Sequence, residues 1–400
     1  MAWEYEARHT IEALRSGIPS RAIGRHFSEA RADLLASINE TLDRVVETQK
    51  SEAAVISGKY GEGKTHLLNT VWELANRRNM VVSMVSLSKE TPLDKLHILY
   101  PKLVASTYLP NHTQPGFTQE LSRLSANSVL LQHLQLYAQN QLETNRLYYH
   151  LACLVKSDDP EEQYLLETDL MGDFIPNHQI NRIYRRITGE KAQFNKPFAK
   201  TKNALDYYHF LSHLFLKLGY AGWVILFDES ELIGRYGKKA RQKTYLAMDH
   251  FLDPSESLKG VFSLFAFSSS FTADVIEQKG EYETAIESFL DDAEAIHKTL
   301  DAIVQAKQLE PLSTKEIHRI LEGIITFHAK AYDWNPMIDP RLLIRKIEES
   351  GGYLLRSKIR SAIEYLDQLY LYHSEGSTTL TALQEETYEI PTYEELFEEE

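Results

Sequence analysis

With 400 residues, 43% of them apolar, the chain can bury a large core and has room for two or three domains. A single cysteine, Cys153, excludes a disulfide frame and a cysteine zinc cluster and fits a reducing compartment, with the thiol itself expected in the core; no run reaches the length of a membrane span and the polar start does not resemble a signal peptide, so a soluble cytoplasmic protein is expected. The net charge of −14 speaks against nucleic acid only on average, because residues 385–400 carry eight glutamates and no basic residue.

Residues 5–50 read as helices. Ile11, Leu14 and Ile18 form a short apolar face, and Ser28 caps a longer helix with Leu34, Leu35, Ile38, Leu42 and Val45 on one side. Between them, Ile23-Gly24-Arg25 is a candidate adenine contact, or an ordinary helix connection. The apolar run Ala53–Ser57 then enters Gly58-Lys59-Tyr60-Gly61-Glu62-Gly63-Lys64-Thr65-His66, and an amphipathic segment with Leu67, Leu68, Val71, Leu74 and Ala75 follows. Strand, glycine loop with G-x4-G-K-T spacing, and helix together predict a P-loop. The glycines let backbone N–H groups turn inward around a β-phosphate, and the helix adds its positive end. Lys64 would reach the β- and γ-phosphate oxygens, and the Thr65 hydroxyl would bind Mg2+. ATP with Mg2+ is the expected ligand.

Residues 80–87 read as a second buried strand, whose end, Ser88–Pro92, leaves the sheet at the P-loop edge. Residues 93–220 form a long helical insertion, with His209 and His213 at i, i+4 but without the Glu or Cys that would make them a metal site. Trp223–Phe227 is a buried strand presenting Asp228 and Glu229 at its end, expected beside the P-loop strand. Asp228 would order the water shell of the metal, and Glu229 would polarise the water that attacks the γ-phosphate. A further strand over 260–267 ends in Ser268-Ser269-Ser270, where a hydroxyl, with Ser269 the candidate, would contact that water or the γ-phosphate. Residues 301–309 are expected to give a last short strand. Ser313 and Glu316 form a capping box opening a helix over 317–331, Pro340 starts another, and a third runs over 354–372. Arg356 and Arg360 share a face near its start, and Arg356 is the candidate for reaching the γ-phosphate from this helical lid.

The predicted organisation is α/β: a helical segment over 1–50, a P-loop ATPase core with a parallel sheet over 51–309 interrupted by the insertion, a helical lid over 310–375, and an acidic tail over 376–400 expected to be disordered.

The order of these motifs resembles AAA+ ATPases near the origin-recognition and STAND branches. Residues 7–21, the Gly61-Glu62-Gly63-Lys64-Thr65-His66 form of the P-loop, Ser86–Leu93 and the Phe227–Glu231 strand end are similar, more closely, to the BREX-type ATP-binding proteins, BrxD-like. That resemblance implies a bacterial ATPase of phage-defence islands, acting with other defence proteins, often a helicase; separately, a homo- or hetero-oligomer is expected. Two departures stand out. AAA+ rings present an arginine finger late in the core, yet residues 271–300 contain no Arg, which leaves Arg235 or Arg241 as candidates. Origin-binding relatives carry a winged helix after the lid, where this sequence has only a short acidic tail, so sequence-specific duplex reading is not expected.

Two basic stretches are candidate nucleic-acid contacts. One, over 182–202, includes Arg185 and Arg186 with interleaved aromatics; the other comprises Arg235, Lys238, Lys239, Arg241 and Lys243. The alternative for both is a solvated face or a surface for an acidic partner. The function expected is a Mg-ATP-dependent switch or motor in which Lys64, Thr65, Asp228 and Glu229 carry binding and hydrolysis, with partner proteins and DNA. An ATP-gated scaffold that does not hydrolyse is the competing reading.

Overall fold

In a computed structural model the chain is described over residues 2–16, 31–121, 124–125, 128–254, 258–336, 338–349 and 355–372. Ile23, Arg25, the Ser28 cap and the acidic tail lie outside the described residues. Two compact units are present: one holds 33–58 and 71–308, the other 1–32, 59–70 and 309–400.

The first unit is built on β1 (Glu52–Gly58), β2 (Met80–Ser86), β3 (Thr107–Tyr108), β4 (Gly222–Asp228), β5 (Val261–Ser268) and β6 (Lys307–Gln308). They form one sheet in the order β3-β2-β4-β5-β1-β6, parallel throughout except for β3. Every residue of β4 is buried, and β5 is buried up to Ser268. A parallel strand covered on both faces has no wet side, which is why these segments read as unbroken apolar runs. The polar exception inside β2 is satisfied: Ser83 Oγ lies 2.7 Å from Thr107 Oγ1 and accepts from Trp223 Nε1 at 2.8 Å. The result is an α/β fold of the P-loop NTPase type, as expected.

Three details differ from the sequence reading. β4 is not beside β1, because β5 lies between them; at the usual strand spacing this separates β1 from β4 by about 10 Å. The last strand is only two residues long, since Asp301–Val304 continue a helix. The antiparallel edge strand β3 was not legible in a segment that otherwise reads as helical; so short an edge strand offers little to an outside chain.

The main helices are α1 (Ala2–Ser16), α2 (Ala32–Thr48), α3 (Lys64–Arg77), α4 (Leu96–Ala105), α5 (Val129–Asn140), α6 (Arg146–Lys156), α7 (Pro160–Thr168), α8 (Asn177–Thr188), α9 (Leu205–Lys217), α10 (Lys238–Leu252), α11 (Glu281–Ser288), α12 (Ala293–Val304), α13 (Thr314–Tyr332), α14 (Pro340–Glu349) and α15 (Leu355–Tyr372). The insertion, α4 to α9, packs into the same core as the sheet through Tyr100, Phe174, Tyr207, Tyr208 and Phe215. Cys153 sits in this core, where burial pushes its thiol up to about 12.

A buried ion pair joins α6 to the turn after α7. The Arg146 guanidinium bonds the Asp169 carboxylate, donates to Tyr207 Oη at 2.8 Å and lies 4.4 Å over the Phe198 ring. Asp169 also accepts from the Tyr207 hydroxyl and the Ile175 N–H, both at 2.8 Å. With both partners at most 1% exposed, removing one leaves an uncompensated charge. Asp169→Ala is expected to destabilise the protein by about 3–5 kcal/mol, read as a lowered midpoint in urea. An unchanged midpoint would contradict the ion-pair account.

In the second unit α1 packs on α13 and α15: Ala7, Ile11 and Leu14 share a core with Ile320, Ile324, Phe327, Ile363 and Leu366. The predicted capping box is present at α13 (Ser313 with Glu316). Toward the other end of α13, Arg15 grips Asp367 with two nitrogens, at 2.7 and 3.1 Å. Asp367 also bonds His328 Nε2 at 3.0 Å, while Trp334 donates to His328 Nδ1. Residues 1–50, read as one segment, thus divide: α1 belongs with the lid helices and α2 with the sheet.

Candidate nucleotide site

The cradle belongs to the second unit. After Gly58 the chain turns on itself: Lys59 N–H donates to Glu62 Oε2 at 2.7 Å, and Glu62 N–H donates to Lys59 O at 3.3 Å. Gly61 (φ +77°) and Gly63 (φ +90°) hold left-handed conformations that a side chain would strain. Helix α3 then starts at Lys64, with Leu67 N–H bonding Gly63 O at 3.0 Å. The Lys64 ammonium is nearly buried, 3.4 Å from Lys59 O, while Lys59 and Tyr60 face outward and Thr65 and His66 are half-buried. A compact loop of amides ahead of a helix N-terminus, with one amine beneath it, is suited to a polyphosphate.

The C-terminal helices lie in the same unit. A Cβ placed on Gly63 would stand 4.0 Å from Leu355 Cδ2, so the first residue of α15 is beside the loop. Arg356, the next residue, is exposed.

Arg31 was missed by sequence reasoning. Its guanidinium donates to Glu62 O at 2.6 Å and to Glu310 O at 3.3 Å, and its own N–H donates to Glu316 Oε1 at 2.6 Å. Glu316 also accepts from Ser313 N–H at 2.8 Å. Burial raises the Glu316 carboxyl, but the hydrogen bonds from Arg31 and Ser313 outweigh it and the net direction is down. Arg31 stands in the left-handed region (φ +60°), which no residue pattern announces.

The carboxylates belong to the first unit. Register places Gly58 opposite Ser268 and Ser86 opposite Asp228, so β1, β5, β4 and β2 end along one carboxyl edge. Asp228 is buried and accepts from the Glu229 N–H at 2.9 Å. Glu229 is exposed and left-handed (φ +53°), a strained conformation that recurs at working sites. Ser269 is exposed, and its N–H reaches Gly58 O at 3.2 Å, tying the serine loop to the end of β1. The sequence reading thus assigned Asp228, Ser269 and Gly58 to what proves to be one sheet edge. The Thr65 hydroxyl in the second unit and the Asp228 carboxylate in the first are each hard oxygen donors, the type that Mg2+ takes together with phosphate and water.

The basic stretches divide. Arg241 is withdrawn from the candidate contacts and from the finger candidates: it is buried, bonding Glu281 at 2.5 Å and Tyr236 O at 2.7 Å. Its partner lies 40 residues along the chain, beyond the reach of any local charge pattern. Arg186 is held by Glu162 and Ser157. Arg235, Lys238, Lys239, Lys243 and Arg185 are exposed, with Lys238 3.6 Å from Glu287.

Lys200 and Lys243, from the two separate stretches, approach the start of α4. Burial lowers His97, and Lys200 and Lys95 lower it further. Burial raises the neighbouring Asp94, against Lys95, Lys243 and His97. The short turn Lys200–Asn203 packs on α4, and Tyr236, ahead of α10, donates to Ser88 O at 2.7 Å. His209 and His213 are accounted for by packing: burial lowers each to about 4, and His213 stacks 3.8 Å from Tyr137. No helix among the described residues is long and apolar enough to cross a membrane.

A family model described as "BREX system ATP-binding protein BrxC/D" matches residues 4–121 and 196–381, leaving α5 to α8 outside the match. No curated protein matches the chain.

Proposed function

From the chain's membership of the BrxC/D family of BREX system ATP-binding proteins, we propose that it hydrolyses ATP with Mg2+ and couples that hydrolysis to partner proteins of the defence system. The observation that carries this reading is the shared carboxyl edge, where the strand entering the P-loop and the strand ending in Asp228 and Glu229 terminate together. In it, Lys64 and the amides of the loop hold the β- and γ-phosphates, and Thr65 and Asp228 hold the metal. The metal supplies charge neutralisation on the phosphates. Glu229 orients and polarises the attacking water, Ser269 hydrogen-bonds it, and Arg356 meets the γ-phosphate from the lid. The test is phosphate release by the purified chain given Mg·ATP, compared with the Lys64→Ala and Glu229→Gln variants.

DNA is the proposed second partner, through the exposed Lys95, Lys200 and Lys243, whose charges act on Asp94 or His97 near the start of α4. Exposed cations of this kind can neutralise a phosphate backbone even on a chain of net charge −14. Lys200→Glu with Lys243→Glu is expected to weaken binding of single-stranded and duplex DNA, and to reduce the slope of log affinity against log salt by about two. Fluorescence anisotropy between about 50 and 200 mM salt measures it. Equal slopes for wild type and variant would remove this surface from the account.

A further inference from the structure

We propose that Arg31 is a positioning residue that locks the phosphate-binding peptide Glu62–Gly63 in its anion-accepting orientation and ties that peptide to lid helix α13. The proposal rests on the nucleotide reading above. Its basis is one side chain with three anchor points in the same unit: Glu62 O at 2.6 Å, Glu310 O at 3.3 Å and, through the Arg31 N–H, Glu316 Oε1 at 2.6 Å.

A trans peptide is planar, so the carbonyl of Glu62 and the N–H of Gly63 point in opposite directions. Holding the carbonyl toward Arg31 turns the Gly63 N–H away from Arg31, to the side on which the proposal places the phosphate. The loop needs such a hold. Gly61 and Gly63 flank the Glu62 residue, and glycines on both sides make the peptide easy to flip. A flipped peptide would aim a carbonyl oxygen at an anion. Arg31 NH1 also lies 3.6 Å from the position a Gly63 Cβ would take, so the guanidinium lies against the same peptide.

The other end of the clamp is fixed by its own bonds. Glu316 receives Arg31 N–H on one oxygen, and Ser313 N–H and Oγ on the other, at 2.8 and 2.7 Å. Movement of α13 therefore pulls on the backbone of Arg31, and the side chain transmits it to Glu62 O. Arg31 keeps a left-handed backbone to span the two, a conformation non-glycine residues seldom hold. Burial lowers its pKa and Glu62 and Glu316 partly restore it; an arginine remains a cation throughout.

The experiment measures ATP affinity by titration calorimetry with Mg2+, alongside the melting temperature of the nucleotide-free chain. Arg31→Ala keeps the N–H bond to Glu316 but loses the guanidinium, and about tenfold weaker ATP binding is expected. Arg31→Lys keeps the charge without the fork and should fall between wild type and Arg31→Ala. Nucleotide-free melting should stay near wild type in both. A purely structural arginine would do the reverse, lowering the melting temperature while leaving ATP affinity intact, and that result overturns the proposal. If Arg31→Ala does not fold, Arg31→Lys decides: wild-type affinity there also overturns it. Should the wild-type chain bind no ATP, the nucleotide reading falls and the clamp with it; if wild type binds and both variants match it, only the clamp falls.

Discussion

Lys64→Ala is expected to abolish ATP turnover and to weaken ATP binding about 10- to 100-fold. The ammonium is nearly buried beneath the loop, 3.4 Å from Lys59 O, too long for that contact to be a strong bond in the absence of an anion. In the proposed site its partners would be phosphate oxygens, and each charge-assisted bond contributes about 1.5–3 kcal/mol. ATP affinity by calorimetry and phosphate release by a coupled assay check the two halves. Near-zero turnover in both wild type and variant, with any nucleic acid or partner added, would defeat the enzyme reading.

The second large effect is a split. Glu229→Gln should reduce hydrolysis by about 10²- to 10⁴-fold, the range ascribed to a positioned general base, while ATP binding is retained. Glutamine keeps the shape and the hydrogen-bonding reach but cannot take a proton from water. Asp228 already fixes the Glu229 N–H at 2.9 Å, so the backbone there should not move on substitution. Tight ATP binding without turnover in the wild type, with Glu229→Gln leaving function unchanged, would select the non-hydrolysing scaffold instead. Single-turnover measurements separate the two readings most cleanly.

How much of this was legible beforehand follows from the range of the interactions. The P-loop, the four long parallel strands and the capping box are written in consecutive residues, and local patterns fix them. The order of strands is not local. β5 entering between β1 and β4 is decided by which apolar faces pack together, and no spacing in the sequence encodes it. Arg241 shows the same limit for charge: a run of cations looks uniform until Glu281 arrives from another helix to bury one of them. Arg31 is the converse case, a residue without a motif whose role comes from Glu62, Glu310 and Glu316 meeting it. Long-range partners were what the residue pattern lacked.

The membership of α1 in the lid core bears on how the protein is made. Arg15 and Asp367 are 352 residues apart, so α1 leaves the ribosome long before the helices it packs on. The sheet has all its strands once residue 308 has emerged. Until α13 and then α15 follow, Ile11 and Leu14 lack their native cover, and the nascent chain carries an apolar helix that chaperones or a neighbouring copy can seize.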